Sequence, residues 1–212
     1  PSVYLTAPDD PKAITIRAAG DGQTDDTAAI QAALDSAASR GAGSIVYLPS
    51  GKYRITRTLI VPPGTRVFGV GPTRPILYLA DNTPGFQEGV KNMVVYSGRD
   101  PGPANPNFRM NNPVPGIVPE RDDVADSNPG SFYSAMANID FEIGEGNPAA
   151  TARRCHAAQH AYLRHMDFDI GSGFAGIYHA GNEAVDPHFK GGRYGLATEK
   201  PPPARPAAPR HP

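Results

Sequence analysis

The sequence predicts an all-β protein: a right-handed single-stranded parallel β-helix, closed at its N-terminal end by one capping α-helix. Three observations predict it. The hexad Ile139-Asp140-Phe141-Glu142-Ile143-Gly144 returns as Met166-Asp167-Phe168-Asp169-Ile170-Gly171 and, more loosely, as Pro187-His188-Phe189-Lys190-Gly191-Gly192. The phenylalanines are spaced by 27 and then 21 residues, inside the range of about 20 to 50 where self-similarity marks a solenoid or array. A second phase recurs in the same order, Ala175-Gly176-Ile177-Tyr178 being echoed by Tyr194-Gly195-Leu196-Ala197, so each repeat holds more than one strand. Within each hexad apolar and polar residues alternate, the pattern of a half-buried strand. Stacked in register, Phe141, Phe168 and Phe189 form one inward column. Asp140, Asp167 and His188, and then Glu142, Asp169 and Lys190, form two outward ones.

Taken in order, Ala13-Ile14-Thr15-Ile16 reads as a short strand that Gly20-Asp21-Gly22-Gln23 breaks. The one helix is expected from about Asp25 to Ser39, with Thr24 as N-cap and Asp25 and Asp26 at the positive end of its dipole. Ile30, Ala33, Leu34 and Ala37 make its apolar face, and Arg40-Gly41 supplies the stop. Short strands follow at Ser44–Leu48, Tyr53–Ile55, Thr58–Val61, Arg66–Gly69, Ile76–Leu79 and Met93–Tyr96, with Pro- and Gly-rich turns between most of them. Gly69-Val70-Gly71 is not a dinucleotide loop, because Pro72 and Pro75 stop the helix such a site needs. Residues 98–130 form a long proline-rich loop, either part of a binding groove or a solvated connector; Phe108, Met110, Glu120, Arg121, Asp122 and Asp123 stand out in it. Residues 1–199 are thus expected to be one β-helix domain, and 200–212, with six prolines, an extended or disordered tail. The coil bearing Phe189 then has no successor, so the chain reads as a truncated or altered-frame fragment of a longer protein.

The runs Gly20-Asp21-Gly22-Gln23-Thr24-Asp25-Asp26-Thr27-Ala28-Ala29-Ile30-Gln31-Ala32-Ala33-Leu34, Gly43–Tyr53 and Gly64–Gly71 resemble the opening module of the pectate lyase superfamily. The version is that of rhamnogalacturonase or epimerase-like proteins, glycoside hydrolase family 55 enzymes and some phage tailspikes. The resemblance covers about the first 80 residues and is specific for fold rather than for reaction. It implies a right-handed parallel β-helix whose helix after the Gly-Asp-Gly turn caps the first coil, and a secreted or periplasmic carbohydrate-active protein. No catalytic motif of those enzymes can be placed residue by residue on this chain.

Composition narrows the functions further. A formal net charge of −1 gives no basic field of the kind nucleic-acid binders carry. No apolar run approaches the length of a membrane span. Cys155 is the only cysteine, so no intramolecular disulfide forms. The chain begins without a methionine or a basic-then-apolar leader, so any signal peptide has been removed or was never included. Oligomeric state is not legible.

Five of the six histidines lie between Cys155 and Phe189. Neighbouring rungs about 4.8 Å apart would make Asp140 with Asp167, and Glu142 with Asp169, paired carboxylates. Such pairs serve glycoside hydrolysis, one as proton donor and the other as nucleophile or base. Mutual repulsion raises one member's pKa. In a β-elimination the same groups would instead hold Ca²⁺ against a uronate; otherwise no cofactor or metal is expected. The candidate catalytic residues are therefore Asp140, Glu142, Asp167 and Asp169, with Arg164, Tyr178, His179, Lys190 and Arg193 as substrate-binding residues. The structural alternative is a solvated ladder, since His188 and Lys190 end both columns with compensating groups. His156 and His160 have zinc-like spacing but lack the glutamate that follows the first histidine. The expected function is action on an extracellular polysaccharide, pectin or polyuronate or β-glucan, by hydrolysis or β-elimination. The alternatives are a non-catalytic glycan-binding, tailspike- or adhesin-like module, or an inactive fragment of a larger enzyme.

Overall fold

The computed structural model describes residues 1–41, 43–97, 132–155, 157, 159–180 and 183–198. The long loop with Phe108, Met110, Glu120, Arg121, Asp122 and Asp123, His156 and the proline-rich tail lie outside them. Every paired strand runs parallel to its neighbours, and one helix accompanies them among the described residues.

The strands form three stacks, each coil contributing one segment to each. The first stack holds β1 (Ile14–Thr15), β3 (Ile45–Pro49), β6 (Arg66–Val70) and β9 (Ala135–Ala137), followed by the opening halves of β12 (Tyr162–Gly171) and β14 (Glu183–Gly191). The second holds β2 (Asp21–Asp25), β4 (Lys52–Arg54), β7 (Ile76–Leu79) and β10 (Asp140–Ile143), then the closing halves of β12 and β14. The third holds β5 (Leu59–Val61), β8 (Lys91–Tyr96), β11 (Ala150–Cys155), β13 (Ala175–Ala180) and β15 (Tyr194–Ala197). This is the parallel β-helix that the repeats predict. The hexads are successive rungs: Phe141 pairs with Phe168 and Phe168 with Phe189, with ring centroids 5.3 and 5.1 Å apart. Tyr53 and Leu77 extend the same inward column toward the N-terminus.

Helix α1 (Thr27–Ser39) stands where the first coil's third strand would be. It covers the open edge of β5, a row of backbone groups otherwise unpaired. Gln31 supplies the missing pairings, its Nε2 donating to the carbonyl of Ile60 (2.9 Å) and its Oε1 accepting the Ile60 N–H (2.8 Å). Ile30, Leu34 and Ala37 enter the core beneath. The helix starts later than the sequence suggests. Thr24 is no N-cap, because its N–H and hydroxyl are held by Asp21 within β2. Asp25 and Asp26 precede the first turn: Asp26 is buried and accepts the N–H groups of Ala19 and Gly20, fastening the glycine turn instead.

A left-handed corner separates the first and second stacks. Asn138 (φ 61°), His165 (φ 52°) and Asp186 (φ 57°) occupy it in three consecutive coils. Asn138 donates from Nδ2 to the Gly69 carbonyl, and a Cβ on Gly69 would lie 1.9 Å from the Asn138 oxygen, so only glycine fits there. β11 departs from the apolar rule, burying Thr151, Arg153 and Arg154. Arg153, in register with Val94 and Ile177, is fully buried, and its guanidinium lies 4.2 Å from the Tyr96 ring centroid, with no nitrogen in hydrogen-bond geometry to a described residue.

Candidate functional site

The second stack presents two lanes of polar side chains. In register these run Asp21, Lys52, Ile76, Asp140, Asp167, His188 and Asp25, Arg54, Tyr78, Glu142, Asp169, Lys190. Alternation within each rung points them away from the Phe column, and the parallel register places like positions side by side. The structure therefore brings Asp140, Glu142, Asp167, Asp169 and Lys190 onto one face. Each of the four carboxylates has a basic partner. Lys52 reaches Glu142 across the intervening coil (2.8 Å), its ammonium 3.9 Å from the Tyr78 ring centroid. Lys190 binds Asp169 at 2.9 Å, which raises the pKa of its amine.

The first lane holds the more connected group. Arg74, only 10% exposed, bridges two rungs, donating from Nε to Asp140 Oδ2 (3.1 Å) and from Nη2 to Asp167 Oδ2. Asp140 Oδ1 also accepts the Asp167 N–H at 2.8 Å. The other Asp167 oxygen meets His188 Nδ1 at 2.9 Å, and His188 Nε2 lies 3.3 Å from Asp186 Oδ1. Asp186 in turn holds His165 Nδ1 at 3.2 Å. Burial pushes the Asp140 carboxyl above its ordinary value, against the pull of the Asp167 N–H and Arg74. The hydrogen bond with His165 holds Asp186 below its ordinary value, with His188 adding to the effect. The two aspartates on adjacent rungs therefore sit in unlike environments, Asp140 at 20% side-chain exposure and Asp167 at 49%. Arg74 and Asp186 belong to this group and were not singled out from the sequence; Arg74 is 66 residues from Asp140, and no local pattern links them.

Not every candidate gathers here. Arg164 lies on the first-stack half of β12, paired with Glu183 at 2.9 Å. Tyr178 and His179 sit on β13 and Arg193 just before β15. His179 is buried and accepts from Arg154 Nε (3.2 Å), while Tyr178 stacks on its imidazole with centroids 4.0 Å apart. Among the described residues no three of His, Cys, Asp and Glu converge as a metal site. The Arg74 guanidinium lies between the Asp140 and Asp167 carboxylates and donates to both, where a shared cation would sit.

A family model described as rhamnogalacturonase A/epimerase, pectate lyase-like, matches residues 14–204. Alginate lyase 7 of Azotobacter vinelandii is 44% identical over 71 residues, covering 30% of this chain and 8% of that protein. A glucan 1,3-beta-glucosidase of Cochliobolus carbonum is 48% identical over 52 residues, covering 24% of this chain and 6% of that protein. The chain thus spans less than a tenth of either relative. Among solved structures, the Streptococcus pneumoniae surface adhesin PfbA aligns over 89% of this chain and 40% of its own, with 15% identity and a TM-score of 0.43.

Proposed function

We propose, on the premise that this chain belongs to the pectate lyase-like rhamnogalacturonase A/epimerase family, that it is a secreted or periplasmic carbohydrate-active module acting on an extended polysaccharide. The reaction is cleavage of a glycosidic bond, by hydrolysis or by β-elimination, on the face carrying Asp140 and Asp167. A polymer of sugars and a stack of coils both repeat linearly, so a chain laid along the lanes contacts several rungs at once. The observation that carries this reading is the pairing of a carboxyl raised by burial with a more exposed carboxylate one rung away. Hydrolysis needs that asymmetry, one carboxyl donating to the leaving oxygen and the other serving as base or nucleophile, and burial makes Asp140 the more readily protonated of the two. Glu142, Asp169 and Lys190 line the neighbouring lane and orient the sugar. In an elimination, a basic side chain of this face takes the proton next to the uronate carboxyl, a C=C bond forms as the glycosidic C–O bond breaks, and a carboxyl of the same face returns a proton to the leaving oxygen. No step runs through calcium.

A second reading has its own observation. All four carboxylates are engaged by basic side chains, which suits a non-catalytic glycan-binding face as well as a reactive one. Incubation with polymannuronate, polygalacturonate and β-1,3-glucan separates the readings. Ultraviolet absorbance from a new C=C bond marks elimination, and new reducing ends without it mark hydrolysis. Retention on immobilised polymer with neither marks binding alone. Asp167→Asn and Asp140→Asn are expected to lower turnover at least a hundredfold while the far-ultraviolet circular dichroism is unchanged. Undiminished turnover in both removes Asp140 and Asp167 from the chemistry.

A further inference from the structure

We infer a second glycan-contact surface, around the Gly171–Gly173 turn from the carboxylate lanes, built from Phe174, Tyr178, Tyr194 and Arg193 and fitted to an acidic sugar. The inference rests on the carbohydrate reading above but not on its catalytic residues. Phe174 packs edge-on against Tyr178 (centroids 6.1 Å, 73°) and against Tyr194 (5.4 Å, 69°). Phe174 and Tyr178 are half-buried, Tyr194 is 44% exposed, and none of the three belongs to the buried core of the coils. The cluster is held from beneath, since Tyr178 lies flat on the buried His179, which Arg154 fixes by a hydrogen bond. Gly176 separates Phe174 from Tyr178 on the strand. A Cβ there would come within 2.7 Å of the Phe189 ring, so the strand lies close against the inward Phe column and admits no side chain at that position.

Arg193 sets the charge preference. Its guanidinium lies 6.0 and 5.6 Å from the Phe174 and Tyr194 centroids, and it makes no ion pair with any described residue. Lys52, Arg74, Arg164 and Lys190 are each spent on a carboxylate of the chain. An exposed guanidinium beside aromatic rings retains its donors for an incoming carboxylate, while the rings offer flat apolar area to the C–H face of a pyranose. Together they recognise a uronate better than a neutral hexose.

The test is isothermal titration of the whole chain carrying Asp167→Asn, with oligomannuronate and a β-1,3-linked gluco-oligosaccharide of equal length as probes. Adding Arg193→Gln is expected to weaken uronate binding about tenfold and leave neutral-sugar binding unchanged. Tyr194→Ala is expected to weaken both several-fold, and Tyr194→Phe, which keeps the ring, to restore them. Circular dichroism and thermal midpoints equal to the parent show that the variants fold. Parental affinity in both Arg193→Gln and Tyr194→Ala overturns the inference, as does absence of binding by the parent. A dimer in sedimentation that Tyr194→Ala dissolves also overturns it, assigning the surface to a second copy. Loss of turnover in Asp167→Asn without an effect of Arg193→Gln leaves the catalytic reading standing alone; the reverse leaves only this one.

Discussion

Truncating Phe168 to alanine tests the stacked-coil architecture at its centre. The side chain is 1% exposed, with parallel rings on both sides at 5.3 and 5.1 Å. A buried Phe→Ala change costs about 3–5 kcal/mol, from lost transfer energy and the cavity left behind. Loss of two ring pairs, each worth about 0.5–1.5 kcal/mol, puts Phe168 at the upper end. In a domain of this size each kcal/mol moves the thermal midpoint by about 2–4 °C, so the midpoint should fall by about 10–15 °C. Phe189 is only half-buried and has one ring neighbour, so Phe189→Ala should cost about 1–2 kcal/mol. Phe141→Ala, buried but with Phe168 as its one stacked neighbour, should fall between. Urea unfolding followed by circular dichroism gives all three values. Equal losses at Phe168 and Phe189, or less than about 1 kcal/mol at Phe168, would refute the column of rings.

Three further outcomes follow from individual contacts. Gln31→Ala strips both hydrogen bonds from the exposed edge of β5 and should destabilise by about 1–3 kcal/mol in urea titration, with concentration-dependent association of the bared edge visible in light scattering. Arg153→Met removes a buried guanidinium with no hydrogen-bonding partner among the described residues from beside Tyr96 and should be neutral or stabilising by up to about 3 kcal/mol; a clear loss of midpoint would show that the guanidinium is needed. Asp25 is pushed up by burial, but hydrogen bonds from the Thr27 and Thr56 hydroxyls and the Thr27 N–H outweigh this and hold it below its ordinary value of 3.8. A depressed native pKa stabilises the fold above the unfolded value, and that contribution disappears as pH falls through the native one. Wild type should therefore exceed Asp25→Asn in stability by a constant margin at neutral pH, and the margin should close below pH 3.8; a margin that widens on acidification contradicts the hydrogen-bonding account.

The strands that the sequence marked as alternating or strongly apolar are present, and their boundaries differ by one or two residues at most turns. β11 escaped notice because Ala150-Thr151-Ala152-Arg153-Arg154-Cys155 has neither an apolar run nor alternation, yet all six side chains are buried. β2 escaped because Asp21-Gly22-Gln23-Thr24-Asp25 reads as a turn and helix cap. Its strand character comes from pairing with β4, not from its own residues. The carboxylate lanes were legible as positions but not as an electrostatic system. Lys52 and Arg74, which neutralise and bridge the carboxylates, come from earlier coils, and Asp186 joins them only through His188.

What the order of residues settles alone is periodic: hexads with the same alternation present the same face on every turn, so the Phe column and the polar lanes follow once the coils stack. What waits on the folded coordinates is which groups meet across those turns. Coils of unequal length, bent at the left-handed corner of Asn138, His165 and Asp186, bring Arg74 over two aspartates from later coils. They also carry Tyr178, His179 and Arg193 onto a different stack from Asp140 and Asp167. Contacts of that kind span 20 to more than 60 residues and depend on where each turn closes, a property of the whole stack that no local pattern encodes.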